Sequence, residues 1–461
     1  MLEKSLVETV LARALENGGD FAEIFVEKSR SAGIFMSKRQ VHSSQSALNY
    51  GAGIRVFNGS FYSYADTSDL SEEGLMRAAA QAAAATGLPK AAAVVKCFPQ
   101  PVENRHQIAE FPFDGQNAEK IEFLRQASEL AYACSDKIIR TDAAVFDKVQ
   151  DVLIANSDGL WAEDRRIRER FVLSPTAESG GETFQNSYLC GGLRGCELLR
   201  GLALEEIAGR TAAEAVEMLE AVNCPAGKMP VIMNSMAGGV FFHEAGGHAL
   251  EATAAAKNAS VFCGKKGERI ASPLVTMIDD GTIPNAWGSS NIDDEGLPTR
   301  KNVLIEKGIL KGFLADRFNA RIMEVEPTGS SRRESYRYAP TSRMNNTLIL
   351  NGNDKPEDIV RNTEYGVYAV QVRGGSVNPA SGDFNFSVSR AYLVEKGKIT
   401  KPVKGAKLIG NCADILKKID MVGNDMSISG AGYCGSKSGR VPVCHGTPTL
   451  RVSSMTVGGQ K

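Results

Sequence analysis

The chain has 461 residues, more than a single hydrophobic core usually supports, so its length predicts two domains. Hydrophobic residues make up 43% of the chain and charged residues 23%, which excludes wholesale disorder and collagen-like repeats. The formal net charge of -1 provides no overall field that would draw the protein to nucleic acid, so we predict no direct nucleic-acid binding.

The first twenty residues lack the uninterrupted apolar segment of a secretory signal, and no run of 18 apolar residues occurs anywhere. These features predict a cytoplasmic protein with no membrane span. The nine cysteines are an odd number without framework spacing, so we expect free thiols that mostly pack as small hydrophobic residues.

The first half of the chain alternates helical and strand patterns. Apolar residues at helical spacing predict helices over 2–17, 71–86, 117–134 and 203–221. Short runs such as AEIFVEK and GIRVFN, and stretches around 138–148, 151–156, 160–175 and 181–191, predict strands. The proline-rich stretch 89–112 predicts a surface connection. Residues 1–210 are therefore predicted to be an N-terminal α+β domain with an antiparallel sheet and flanking helices.

A pattern break near residues 200–225 predicts the domain boundary. Strand candidates dominate from there to the end, with helices expected only at about 236–256 and 354–362. Residues 225–461 are predicted to form a mainly antiparallel β domain that carries one helix with candidate catalytic residues. The whole chain thus falls in the α+β class.

That helix contains two of the five histidines, in the string HEAGGHALE. His243 is followed directly by Glu244, and His248 comes five residues after His243. A catalytic zinc site needs two neutral imidazoles, a third ligand, an open position for water and a nearby carboxylate base. The residue types therefore favour a zinc site with Glu244 as the base.

The spacing of the two histidines requires a distorted helix. Residues five apart in a regular α-helix lie about 140° apart around the axis and cannot share one metal ion. A one-residue π-bulge near Gly246 and Gly247 would bring the two rings together. Gly238 and Gly239 also weaken the helix, which indicates close approach of another backbone or of a ligand, and packing of the helix against a sheet would equally account for them.

A third ligand has to come from a distant part of the chain. Cys434 lies between glycines near the C-terminus and would bind zinc as a thiolate. Cys444 and His445 are the competing source of this ligand. The residues alone leave that choice open.

Several further strings accompany HEAGGHALE: NIDDEGLPTR, GSSRRESYRYAPTSRMNNT, SGDFNFSVSRAYLVEKGKI and the ending TPTLRVSSMTVGG. Together they resemble the TldD/PmbA family over essentially the whole chain. The HExxxH motif resembles the TldD side, because the PmbA (TldE) side lacks it. The family was first named for modulation of DNA gyrase.

The resemblance implies a zinc-dependent metallopeptidase that hydrolyses unfolded or extended peptides. It implies that His243, His248 and Cys434 are Zn²⁺ ligands and that Glu244 acts as general base on a zinc-bound water. It also implies a dimer, either a homodimer or a heterodimer with a TldE/PmbA-type paralogue. The alternative is a non-catalytic regulatory protein that acts through partners such as DNA gyrase, and a second rival is a cysteine hydrolase using Cys444 or Cys263.

An arginine cluster precedes the C-terminal strands. Its members are Arg332, Arg333, Arg337 and Arg343, with two interleaved tyrosines. We expect these arginines to pair internally with the acidic runs 279–280 and 293–295 rather than to bind nucleic acid. Since the acidic runs lack calcium-loop spacing, solvated turns are their default interpretation.

Overall fold

Long antiparallel strands dominate the first half of the computed structural model, which describes residues 2–84, 87, 94–112 and 116–459. The eight strands there are β1 (Phe21–Ser37), β2 (Gln40–Asn58), β3 (Phe61–Thr67), β4 (Phe98–Pro99), β5 (Ile138–Asn156), β6 (Leu160–Ser179), β7 (Glu182–Gln185) and β8 (Tyr188–Gly192). They form one sheet in the order β3-β2-β1-β5-β6-β4, with β7 and β8 also paired to β6. All pairs are antiparallel except β4 with β6.

Two helical groups cover this sheet. The helices are α1 (Lys4–Leu15), α2 (Glu72–Ala84), α3 (Asn117–Ala133), α4 (Glu197–Arg200) and α5 (Leu204–Glu217), with a 3₁₀ turn at Met218–Glu220. α1 and α2 share one apolar cluster with β1 and β2, and α3 and α5 share another with β5 and β6. The predicted helices are confirmed, although residues 85–86 of the second one lie outside the described residues. Pro89, at the start of the predicted connection, also lies outside them.

Sixteen shorter strands follow in the second half. They are β9 (Val222–Asn223), β10 (Gly227–Met233), β11 (Met277–Asp280), β12 (Lys301–Glu306), β13 (Ile309–Leu310), β14 (Ser331–Arg332), β15 (Thr341–Ser342), β16 (Asn346–Ile349), β17 (Tyr365–Val377), β18 (Asp383–Glu395), β19 (Lys398–Lys404), β20 (Lys407–Asn411), β21 (Ile419–Val422), β22 (Ser427–Ser436), β23 (Gly439–Thr447) and β24 (Leu450–Gly458). One sheet has the order β17-β10-β24-β20-β18-β19-β9, with β21 paired to β24, and a second has the order β13-β12-β11-β16-β23-β22. β14 and β15 form a separate pair.

The helices of this half are short. They are α6 (Ser235–Phe242), α7 (Ala252–Ala255), α8 (Arg317–Met323), α9 (Pro356–Arg361) and α10 (Cys412–Ile415). The single helix predicted at 236–256 is thus interrupted, and the one at 354–362 is α9. α8 and α10 were not predicted, although Asp316 caps α8 by accepting from the backbone N–H of Phe318 and Asn319. No helix among the described residues is long and apolar enough to cross a bilayer.

The α+β prediction is confirmed, because mixed helices and antiparallel sheets make up both halves. β1–β8 belong to one sheet and the strands from β9 onward to others, while the domain limits 1–210 and 225–461 stay a prediction. All nine cysteines are free thiols, as expected.

α6 lies in the largest apolar cluster of the protein, between the two sheets of the second half. Phe241 packs edge-on against Phe384, with ring centroids 4.9 Å apart. Met277 of the six-stranded sheet belongs to the same cluster. The end of this helix is therefore held by both sheets, and the HEAGGHALE segment begins at that end.

The prediction of solvated turns for the acidic runs is wrong. Asp279, Asp293, Asp294 and Glu295 are all buried. Asp294 accepts from Arg166 at 2.6 Å and from the backbone N–H of Arg333 at 2.7 Å, and Glu295 pairs with Arg55. Buried arginines remote in sequence offset the desolvation of Asp294 and Glu295, whereas Asp279 and Asp293 accept hydrogen bonds from uncharged groups.

Candidate metal centre

Asn234, between β10 and α6, sets the start of the helix that leads to the histidines. Its side chain accepts a hydrogen bond from the backbone N–H of Ala237 at 2.9 Å, which caps the helix. A Cβ atom at Gly238 would lie 2.5 Å from Oγ1 of Thr447, and one at Gly239 would lie 2.5 Å from Nδ1 of His445. The two glycines thus allow β23 to approach α6 closely, as the sequence indicates.

The helix changes its winding between the two histidines. α6 ends at Phe242, residues His243–Gly247 form one turn of π-helix, and His248–Leu250 continue as a 3₁₀ turn. The distortion that the five-residue spacing requires is therefore present at the predicted place. Because of it, the rings of His243 and His248 lie with centroids 5.2 Å apart.

Cys434 completes the group from β22. The ligand atoms of His243, His248 and Cys434 all lie within 4.8 Å of one another. Sγ of Cys434 is 3.3 Å from Nε2 of His248. Two zinc ligands in a tetrahedral site are about 3.3–3.6 Å apart. The arrangement therefore needs only small movements to surround one ion.

His243 provides a test of whether these residues fit a metal ion. Its side chain is buried, yet neither ring nitrogen has a hydrogen-bond partner among the described residues. Burial and the charge of His248 lower the pKa of His243 to about 4, so its imidazole is neutral at pH 7. A neutral, unpartnered imidazole beside a second imidazole and a thiol suits a zinc ion chemically.

Glu251 and Arg343 hold the other two side chains in place. Oε2 of Glu251 lies 3.1 Å from Nδ1 of His248, so Nε2 of that ring points to Cys434. Arg343 is fully buried and donates from Nη2 to the carbonyl oxygen of Cys434. Sequence reasoning did not assign Glu251, although a carboxylate three residues after a ligand histidine is a recognisable signal.

The protonation of His248 and Cys434 follows from their contact. Burial opposes the charge on His248, but Glu251 and the hydrogen bonds to Cys434 and Glu251 raise its pKa well above 6.5. Burial likewise opposes a thiolate at Cys434, while the hydrogen bond and charge of His248 lower the pKa of that thiol. A metal ion would displace the shared proton, because both ligands bind in their deprotonated forms.

Glu244 lies at the open side of this group. Its side chain is 31% exposed, in contrast to the buried His243, so water has access to it. Oε2 of Glu244 is 3.6 Å from Nε2 of His248. The carboxylate therefore lies beside a ring nitrogen of the histidine pair, on the side that water can reach.

The competing ligand source lies apart from the group. His445 faces α6, with its ring centroid 6.4 Å from that of His243, and its Nδ1 is 3.5 Å from the hydroxyl of Ser429. Cys444 packs near Trp287 and its thiol donates to the carbonyl of Gly430 at 3.1 Å. Of the candidate third ligands, the structure brings Cys434 to the histidine pair.

The cysteine-hydrolase rival finds little support in the surroundings of its thiols. Burial raises the pKa of the Cys444 thiol, which is the opposite of what an activated nucleophile needs. The thiol of Cys263 donates to the carbonyl of Ala255 in a loop. Neither thiol therefore has the environment of a catalytic cysteine.

A second group of possible ligands, Asp147, Glu169 and Cys196, lies against the N-terminal sheet. Nζ of Lys120 is 2.6 Å from Asp147 and 3.7 Å from Glu169, so an ammonium group already supplies positive charge there. Burial and the charge of Asp147 raise the pKa of Glu169 to about 9. The histidine–cysteine group is accordingly the better metal site.

Comparison with known proteins matches nearly the whole chain to metallopeptidases. Three family profiles match the chain: PmbA/TldA metallopeptidase domain 1 over residues 22–86, the central domain over 112–221 and the C-terminal domain over 226–459. A Haemophilus influenzae protein named metalloprotease TldD homolog is 36% identical, and the alignment covers 95% of this chain and 93% of that one.

More distant relatives extend the comparison. A Saccharolobus solfataricus protein named zinc metalloprotease TldD homolog is 31% identical over 53% of this chain and 54% of its own. The solved structure of TM0727 from Thermotoga maritima has the same fold, with a TM-score of 0.81 at 24% identity, covering 98% of this chain and 99% of that one.

Proposed function

Because the chain belongs to the PmbA/TldD metallopeptidase family, we propose that it is a zinc peptidase that hydrolyses unfolded or extended peptides. In this proposal His243, His248 and Cys434 hold the zinc ion, and Glu244 is the general base. The metalloprotease names of the relatives do not favour the alternative of a non-catalytic protein that acts on partners such as DNA gyrase.

The convergence of three remote side chains carries the proposal. Two imidazoles and a thiol lie within 4.8 Å of one another, and neither ring nitrogen of His243 has a hydrogen-bond partner in the part of the chain that the structure describes. A thiolate ligand favours zinc over magnesium or calcium, which prefer oxygen. The name of the Saccharolobus solfataricus relative supports the same metal.

Zinc, when bound, would supply a Lewis acid that polarises the scissile carbonyl and increases the acidity of a water molecule. Glu244 then has two tasks in succession. Its carboxylate accepts the proton of the attacking water and later delivers that proton to the leaving amine. Partial exposure of Glu244 suits both tasks, since water has to reach it and the amine has to leave past it.

Glu251 keeps the ligand geometry during this cycle. By holding Nδ1 of His248, it fixes the ring so that Nε2 stays directed at the site. Arg343 restrains β22 through the carbonyl oxygen of Cys434. Both residues act as positioning groups and need no contact with the peptide.

We further propose that the peptide binds in an extended form through main-chain hydrogen bonds to a sheet edge. β22 is an edge strand and carries Cys434. However, the carbonyls of Gly432 and Cys434 already accept from Trp287 and Arg343. The stretch of β22 next to Cys434 is therefore not the edge that a substrate strand would use.

Cleavage of an unstructured peptide by the purified chain, with and without a chelator, tests the proposed function. We expect cleavage that the chelator abolishes and added zinc restores. A dimer with a second copy or with a TldE/PmbA-type paralogue remains part of the proposal, so the assay is repeated with a lysate of the source organism. Chelator-resistant cleavage, or none in either setting, would argue against a zinc peptidase.

A further inference from the structure

A cavity of about 560 Å³ lies between the N-terminal sheet and the β22–β23 hairpin, and the metal centre does not use it. Seven cationic side chains line it, against four carboxylates. The cations are Lys148, Arg166, Arg168, Arg170, Arg332, Arg333 and Arg440. We call this space the arginine cavity.

The strand geometry explains why so many arginines meet there. Arg166, Arg168 and Arg170 alternate along β6 with Ile167 and Glu169, and alternate residues of a strand point to one face. All three therefore project from the same side of the N-terminal sheet. Arg332, on β14, lines the cavity from the second half of the chain.

The β22–β23 hairpin separates the arginine cavity from the metal centre. Cys434 pairs with Val441 across the hairpin, and its neighbour Tyr433 pairs with Pro442. Adjacent strand residues point to opposite faces, so Tyr433 and Pro442 line the cavity while Cys434 faces His248. The cavity is thus a distinct site, one strand away from the proposed metal ligands.

Some of these cations are already neutralised. Arg166 pairs with Asp294 at 2.6 Å and with Asp164 at 3.2 Å, and Arg333 pairs with Glu23 at 3.0 Å. These pairs use Asp294, which is one of the four carboxylates of the cavity wall. Asp147, another of the four, pairs with Lys120.

Arg168 and Arg332 have no such partner. Each is 6% exposed, and within the described part of the chain no carboxylate oxygen lies within 4.0 Å of either guanidinium. Among the described residues, Arg168 donates to the carbonyls of Trp287 and Ser289 alone, and Arg332 to that of Met344 alone. Burial together with neighbouring arginines lowers the pKa of Arg168 to about 9, and burial lowers that of Arg332 to about 10.

Arg170 and Arg440 add uncompensated charge at the same wall. Their guanidinium carbons lie 5.6 Å and 5.3 Å from the centroid of the Tyr433 ring, and neither has a carboxylate partner among the described residues. A buried guanidinium without a counterion costs free energy. A bound anion would offset that cost for the buried Arg168 and Arg332, and it would also be attracted by the partly buried Arg170 and the exposed Arg440.

We propose that the arginine cavity binds an oxyanion, a carboxylate or a phosphate, through Arg168 and Arg332. Guanidinium groups bind a carboxylate and a phosphate in the same way, through paired N–H donors. A carboxylate in this cavity would belong to a bound peptide, and this assignment rests on the proposed function. Binding of inorganic phosphate would not depend on the proposed function. Trp287 and Tyr433 provide apolar wall for the group that carries the anion.

Calorimetric titration and thermal unfolding with sodium phosphate, against sodium chloride at equal ionic strength, test the site. We expect phosphate to bind and to raise the unfolding temperature of the zinc-loaded chain. Arg168→Gln and Arg332→Gln should each weaken binding by about tenfold or more, because each removes a charged donor. Arg373→Gln, on an exposed part of β17, is the matched control and should bind like the parent.

The stability of the variants provides a second readout. In buffer without oxyanions, Arg168→Gln and Arg332→Gln should unfold at or above the temperature of the parent, because an unpaired buried charge has been removed. If either fails to fold, Arg440→Gln at the exposed rim takes its place and should weaken phosphate binding. Equal binding by the parent and the cavity variants, or no binding beyond chloride, would overturn the proposal.

Two peptides identify the source of the anion. In the Glu244→Gln background, which prevents turnover, a peptide with a free C-terminal carboxylate is compared with its C-terminal amide, neither containing acidic side chains. Competition with phosphate by the free acid alone assigns the site to a peptide carboxylate, and competition by neither peptide assigns it to a small anion. Phosphate binding does not depend on peptidase activity, so failure of the proposed function would leave this result intact.

Discussion

Sγ of Cys434 lies 3.3 Å from Nε2 of His248, although 186 positions separate the two residues in the chain. Only the fold of the whole second half brings them together. The segment with His248 follows α6, which ends between two sheets, and Cys434 lies on β22, the edge strand of one of these sheets. His243 lies beside this pair, and its ring nitrogens have no hydrogen-bond partner among the residues that the structure describes.

The choice between Cys434 and Cys444 as ligand can be tested by metal content. Cys434→Ala should lower the zinc bound per chain well below one equivalent, because a two-histidine site loses its only thiolate. Cys444→Ala is the matched control, as it removes a buried thiol that faces Trp287 instead. Inductively coupled plasma mass spectrometry after dialysis measures the content. An unchanged zinc content in Cys434→Ala would mean that another residue is the third ligand.

Glu244→Gln should retain zinc and lose peptide hydrolysis by about 10²- to 10⁴-fold, because the amide cannot accept the proton of the attacking water. Glu268→Gln, at an exposed loop position, serves as the control and should leave the rate unchanged. Zinc content and peptide turnover are measured on the same preparations. Full activity in Glu244→Gln would remove this residue from the mechanism.

Gly239→Ala should destabilise the protein by about 1–3 kcal/mol, because the new methyl group would lie 2.5 Å from Nδ1 of His445. Gly209→Ala, in the middle of α5, has no atom within 4 Å of the added Cβ and should instead stabilise by up to about 1 kcal/mol. Chemical denaturation gives both values. The opposite order of stabilities would contradict the close packing of α6 against β23.

His106 should contribute a measurable loss of stability in acid. The backbone N–H of Asn285 donates to its Nδ1 at 3.1 Å, so the native state needs a neutral ring. Burial and the charge of Arg168 lower the pKa of His106 to about 4, below the value of 6.5 in an unfolded chain. The unfolded state therefore binds the proton first, and the stabilising contribution present above pH 6.5 is lost as the pH falls towards 4.

The free energy of unfolding of the parent, relative to that of His106→Gln, should fall by up to about 3 kcal/mol between pH 6.5 and 4. The comparison cancels the other titrating groups, which both proteins share. Parallel pH profiles for the two proteins would mean that His106 does not remain neutral in the folded state.

Local sequence patterns predicted much of the geometry of the candidate metal site. The five-residue spacing of His243 and His248 demanded an irregular helix, because no regular helix can bring those rings together, and the π-helix is at that position. The helices α1, α3 and α5 likewise follow from apolar residues at helical spacing. These features depend on residues that are close in sequence.

The acidic runs and the arginines could not be placed in the same way. Arg166 pairs with Asp294 across 128 positions, and Arg55 pairs with Glu295 across 240. An acidic segment can have the same composition in a solvated turn and in a buried ion-pair network. Tertiary packing alone therefore decides whether the segment is exposed or buried. The arginine cavity could not be predicted for the same reason, because its cations lie on β5, β6 and β23, on β14 and directly after β14.

Anomalous diffraction at the zinc absorption edge from zinc-loaded crystals would show directly whether these three side chains bind the metal. We expect one peak about 2.0–2.1 Å from a ring nitrogen of His243 and of His248, and about 2.3 Å from Sγ of Cys434. A zinc peak elsewhere in the protein, with these three side chains pointing away from it, would rule out the proposed site.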